Sequence, residues 1–103
     1  VVQDPAATGA TLTATPASPQ AAGAQVTFTA GGQGGTGTYE YRFYRKNPGS
    51  STWTQVQAYG TNANWIWNTT GATVGTHSVM VYVRNQGSVA AYEALKTVTY
   101  TVQ

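Results

Sequence analysis

Apolar and polar residues alternate one for one along almost every segment of this chain, and none shows a convincing 3.6-residue period. The run His77-Ser78-Val79-Met80-Val81-Tyr82-Val83-Arg84 shows the alternation most plainly. Side chains two apart share one face of a strand. His77, Val79, Val81 and Val83 therefore make a buried face, and Ser78, Met80, Tyr82 and Arg84 an outer one. The same reading gives strands at Ala10–Thr15, Val26–Ala30, Tyr39–Lys46, Thr52–Gln57, Asn64–Asn68 and Lys96–Val102. Tyr92-Glu93 either opens the last of these or makes a short strand of its own.

Turn residues separate the strands. Pro16-Ala17-Ser18-Pro19 closes the first, because proline cannot donate to a ladder. Gly31–Thr38, read GGQGGTGT, is a glycine-rich loop. Asn47-Pro48-Gly49-Ser50, Gly71–Gly75 and Asn85–Ser88 are turns. About seven short strands with turn signals and no helix specify an all-β antiparallel sandwich. Residues 1–9, with Asp4-Pro5 and small neighbours, are expected to be a linker or tail, and residues 10–103 one domain.

Composition says how the outer faces are built. Of 103 residues only 8% are charged, against 18 threonines. Threonine is β-branched and carries a hydroxyl, so it fills the wet face of a strand without charge. A net charge of +2 with no basic run beyond Arg45-Lys46 lacks the electrostatic footprint of a nucleic-acid binder. No apolar stretch is long enough to span a membrane as a helix. The chain contains no cysteine, which excludes disulfides and thiolate metal sites. It begins with valine and shows no signal peptide, as expected of a mature product or a piece of something longer.

Gly75-Thr76-His77-Ser78-Val79-Met80-Val81-Tyr82-Val83 resembles the G-x-Y-x-V-x-V-x-V run of immunoglobulin-like sandwiches, among them bacterial Ig-like, PKD-like and fibronectin-III-like repeats. The early PASPQAAGAQVTFTA segment is similar to the opening of those repeats, and Tyr39–Phe43 follows its glycine loop in the same order. The resemblance covers about Thr8 to Gln103. It implies an immunoglobulin-like sandwich in a secreted or cell-surface bacterial protein, where such modules space, present or support other domains. His77 stands where the family has its corner tyrosine, and the W-x-F-G-D-G stretch of PKD domains is absent.

Few residues bear chemistry. His77 is the lone histidine, and Asp4, Glu40 and Glu93 are the only carboxylates. A triad would have to recruit Asp4 from the tail, so a structural role for His77 is expected and the chain is not expected to be an enzyme. Paired-carboxylate hydrolysis needs two acids about 5–9.5 Å apart, and nothing in the sequence joins Glu40 to Glu93. No calcium loop, phosphate loop or cofactor motif occurs. Asn68-Thr69-Thr70 matches a glycosylation acceptor, but Asn before a turn is the simpler account.

Two surfaces remain. Pairing of Tyr39–Lys46 with His77–Arg84 would gather Arg42, Tyr44, Met80, Tyr82 and Arg84 on one outer face, a composition typical of contact surfaces. The same side chains would also stabilise the sheet as cross-strand pairs, by about 0.2–1 kcal/mol each. Among the tryptophans, burial of roughly 150–250 Å² apiece favours the core for Trp65 and Trp67. Trp53, after an exposed turn, is the candidate for stacking on a sugar ring. The expected function is thus a non-catalytic spacer or protein-interaction module. A carbohydrate-binding accessory module is the alternative. The expected partners are neighbouring domains and a protein or polysaccharide ligand, with the isolated domain a monomer.

Overall fold

The structure, a computed structural model, describes residues 5–103. It contains seven strands: β1 (Ala7–Thr15), β2 (Gln25–Gly34), β3 (Tyr39–Lys46), β4 (Thr54–Gly60), β5 (Asn64–Asn68), β6 (Gly75–Asn85) and β7 (Ala94–Val102). They form two antiparallel sheets, a three-stranded one ordered β1-β2-β5 and a four-stranded one ordered β4-β3-β6-β7. The molecule is an all-β sandwich. The described residues contain no helix long and apolar enough to cross a membrane.

The inward faces are those the alternation specifies. Tyr41 and Phe43 of β3, Trp65 and Trp67 of β5, His77, Val79, Val81 and Val83 of β6, and Tyr100 and Val102 of β7 are all buried. Phe28 is fully covered at the centre of the two layers. Its ring stacks on Trp65 at 5.4 Å and meets Tyr100 edge-on at 5.7 Å. At one end the Pro16–Gln20 segment carries the chain from β1 across to β7. There the Tyr100 hydroxyl donates to the Pro16 carbonyl at 2.7 Å, and the Ser18 hydroxyl accepts from the Thr101 N–H at 2.8 Å.

Four boundaries differ from the sequence reading. β1 begins at Ala7, because Ala7 is buried and its N–H donates to Glu93 Oε1 at 3.1 Å. The expected tail therefore loses residues 7–9 to the sheet, and Val1–Asp4 lie outside the described residues. The glycine-rich segment is a strand as far as Gly34, since Ala7–Thr11 pair with Gly31–Gly34. β4 starts at Thr54, and Trp53 precedes it. The N–H groups just upstream are used in the turn, Ser50 donating to the Asn47 carbonyl and Thr52 to Ser50 Oγ. β7 starts at Ala94, and Tyr92 and Glu93 lie in the loop before it.

Gly32 shows why that strand is glycine-rich. The Tyr39 ring lies over it, so a Cβ there would sit 2.7 Å from the ring carbons. Tyr39 is also anchored, its hydroxyl donating to the Gly34 carbonyl. Gly32→Ala is expected to displace the half-buried ring and cost about 1–2 kcal/mol by overpacking. Urea denaturation checks this, and an unchanged midpoint would mean that the ring is not held there.

Candidate contact surface

β3 and β6 lie side by side in a register that pairs Glu40 with Arg84, Arg42 with Tyr82, Tyr44 with Met80 and Lys46 with Ser78. Even-numbered residues of both strands face away from the core, so these groups share the outer face of the four-stranded sheet. The five expected surface residues are brought together there, with one correction. Met80 is only 9% exposed, so it is a covered neighbour of Tyr44 and offers a partner almost nothing.

What organises the face is a ladder of aromatic rings and guanidinium groups. Tyr44 meets Tyr82 edge-on at 5.0 Å, and Tyr82 packs on Tyr92 at 4.5 Å. The Arg42 guanidinium lies 5.1 Å from the Tyr44 ring centre and 5.7 Å from that of Tyr59. Arg84 lies closer still to Tyr59, at 3.8 Å. Cation–π contacts at such partly exposed positions stabilise by about 0.5–1 kcal/mol each.

Tyr59 is the residue the sequence reading missed. It comes from the edge strand β4, reaches over Arg42 and Arg84, and donates its hydroxyl to the Ala91 carbonyl in the loop before β7. Burial pushes its phenol up to about 12, while the two flanking guanidinium groups pull the other way. The β3–β4 register shifts on either side of Phe43. Gln57 thereby turns inward and donates to the Asn64 carbonyl at 3.0 Å. Gln55 stays outside, where its amide oxygen accepts from Arg42 Nε. A simple alternation cannot show this, because each irregularity resets it.

The two arginines of the face differ in their commitments. Arg84 donates to Glu40 Oε1 at 2.9 Å and to the Ala90 carbonyl at 2.8 Å. Glu40–Arg84 is the only ion pair among the described residues. Among the described residues Arg42 has aromatic rings and the Gln55 amide but no carboxylate.

Around His77 the chemistry is closed. Nε2–H donates to the Thr73 carbonyl at 2.7 Å, and Nδ1 accepts from Arg45 at 3.0 Å. Both nitrogens of the neutral ring are thereby engaged, one by the Thr73 carbonyl and one by Arg45. Burial lowers its proton affinity; the Thr73 carbonyl opposes this, and Arg45 adds to it. Arg45 shares its face of β3 with Phe43, lies 5.1 Å from the centre of Trp67, and donates to Asn47 Oδ1. Glu40 is held by Arg84, and Glu93 accepts from Ala7, Asn85 and Ser88. The described residues hold no group of three or more His, Cys, Asp or Glu that could bind a metal ion. Trp53 is half-buried, with Lys46 Nζ 5.0 Å from the centre of its ring.

A small all-β sandwich with an aromatic–arginine face is the class of protein these observations define. Comparison of the chain with protein-family models, curated proteins and solved structures found no match.

Proposed function

We propose that this domain is a non-catalytic, immunoglobulin-like spacer and interaction module of a secreted or cell-surface bacterial protein. The observation that carries the spacer role is the path of the chain through a long body. The molecule measures 52 × 25 × 17 Å. The chain enters at one pole, where Asn85 Nδ2 donates to the Pro5 carbonyl at 2.6 Å and Ala7 pairs with Gly34. It leaves at the other, where Val102 pairs with Gly75 and the Gln103 N–H donates to the Gln20 carbonyl at 2.9 Å. Strand β6 runs between these poles. Copies joined end to end would therefore add their lengths.

One feature supports the immunoglobulin-like reading, and one sets this sandwich apart from the constant-type domain. His77 uses its ring N–H to bond a backbone carbonyl four residues upstream, the task a corner tyrosine hydroxyl performs in such sandwiches. The fourth strand lies beside the third, unlike the constant-type immunoglobulin arrangement, in which it joins the sheet of the first two.

The test is a directly joined tandem of two copies studied by small-angle X-ray scattering. Its maximum dimension is expected to be roughly double that of one copy, as for solenoid-like arrays. A tandem about as long as one copy would mean that the modules fold back on each other, and the spacer reading would fail.

A further inference from the structure

The outer face of β4-β3-β6-β7 combines three properties that bear on what would cover it. Its aromatic groups are held in place by one another, and Tyr59 also by its bond to the Ala91 carbonyl, so little side-chain entropy is left to lose on binding. Its rings are not coplanar. Tyr44 and Tyr82 are inclined at 61°, and Tyr82 and Tyr92 at 30°. A flat platform for sugar rings is therefore not formed, whereas the clefts between inclined rings suit the side chains of a peptide. Finally, its charge is unbalanced. The chain has five Lys and Arg, and both described carboxylates are already engaged, Glu40 by Arg84 and Glu93 by main-chain N–H groups. Arg42 is left at the centre of the face, half-buried between Tyr44 and Tyr59 and without a counter-charge among the described residues.

A guanidinium flanked by aromatic rings is a site for a carboxylate. The rings exclude water from its faces, while its edge N–H groups donate in the fork that matches two oxygens. We infer that this face binds an extended acidic segment of another protein, with a Glu or Asp side chain on Arg42 and neighbouring side chains against Tyr44, Tyr82 and Tyr92. Tyr92 is 45% exposed and marks the far end of the track. This inference concerns the face alone and does not depend on how modules are strung together.

The experiment titrates the wild-type domain at low salt with a fluorescently labelled peptide of alternating Glu and Ser. A Gln-for-Glu peptide and a polygalacturonate oligosaccharide serve as comparisons. Anisotropy reads affinity, and amide shifts in NMR map the contact. The acidic peptide is expected to bind at least tenfold more tightly than the Gln peptide, with shifts on the outer face of β3, β4 and β6. Arg42→Gln is expected to weaken it by roughly tenfold or more, as for a central anchor. Lys96→Gln, away from this track, should change it less than about twofold, as for a peripheral charge. Thermal melting checks that both variants are folded, and the wild-type shift map decides the matter if Arg42→Gln is not. The inference is overturned if the Gln peptide binds equally, if neither peptide binds, or if the polyuronate binds and the acidic peptide does not. Shifts that scatter over the surface, or an equal effect from Lys96→Gln, would reduce the contact to bulk charge and overturn it too.

Discussion

Trp67→Ala is expected to destabilise the domain by about 3–5 kcal/mol, the range for deleting a large buried aromatic. The indole is nearly covered and holds several partners at once. It stacks on Trp65 at 6.1 Å with ring planes 12° apart, and it meets His77 edge-on at 4.8 Å and Tyr100 at 6.1 Å. On its remaining side is the Arg45 guanidinium. Truncation would leave a cavity between the sheets and strip the apolar cover from an arginine and a buried histidine. A domain of this size is stable by only about 5–15 kcal/mol, so the loss is a large fraction of the whole. Urea denaturation should show a much lower midpoint with an unchanged slope. Ile66, the neighbour on the opposite face, is 61% exposed. Ile66→Ala should therefore stay within about 0.5 kcal/mol, as surface substitutions usually do. Equal effects at the two positions would contradict the assigned face of β5.

The contrast between Trp67 and Ile66 also shows what the sequence makes legible. Which residues share a face follows from alternation within one strand, so the inward sets of β3, β5, β6 and β7 can be read directly. Burial in a sandwich then fixes which face is inward. Three kinds of feature escape this logic. The first is pairing with distant chain, as where Gly31–Gly34 read as a loop until Ala7–Thr11 supply their ladder partners. The second is irregular register, which turns Gln57 inward and leaves Tyr59 over the two arginines. The third is cover from neighbouring strands, which hides Met80 although its parity is that of the outer face. Arg45 belongs to a different group. Its parity with Tyr41 and Phe43 was available in the sequence, and a charge on that face signalled a polar partner inside, which is His77.

Acid is expected to lower the stability of the domain in two stages, and Glu93→Ala should remove the lower one. The Glu93 carboxylate gathers three parts of the chain. Oε1 accepts from the Asn85 N–H at 2.8 Å and the Ala7 N–H at 3.1 Å, and Oε2 accepts from Ser88 Oγ at 3.0 Å. These bonds, the one from Asn85 foremost, hold its pKa below the ordinary carboxylate value; partial burial opposes them, and Arg84 adds to them. A depressed folded pKa means that the unfolded chain takes up the proton first. Glu93 therefore contributes its full stabilisation above the unfolded carboxyl range, about pH 4.3. That contribution is lost as pH falls through the lower folded value. The His77 pKa is also depressed, chiefly by burial, so its effect has the same sign but starts higher. Stability should begin to fall below about pH 6.5, where an unfolded histidine protonates. Glu93→Ala is expected to cost about 2–3 kcal/mol at neutral pH, the worth of hydrogen bonds to a charged group. The Ala7 and Asn85 amides should lose protection from hydrogen exchange. The decline that starts near pH 6.5 should persist in the variant, while the steeper fall below about pH 4.3 should flatten, so that wild type and variant converge in strong acid. Equal acid slopes in the two proteins would place the lower stage elsewhere. Because Glu93 joins the start of β1 to the end of β6, such a result would also mean that this pole of the sandwich is closed by the Asn85 side chain, which bonds Pro5 and Thr36, and not by the carboxylate.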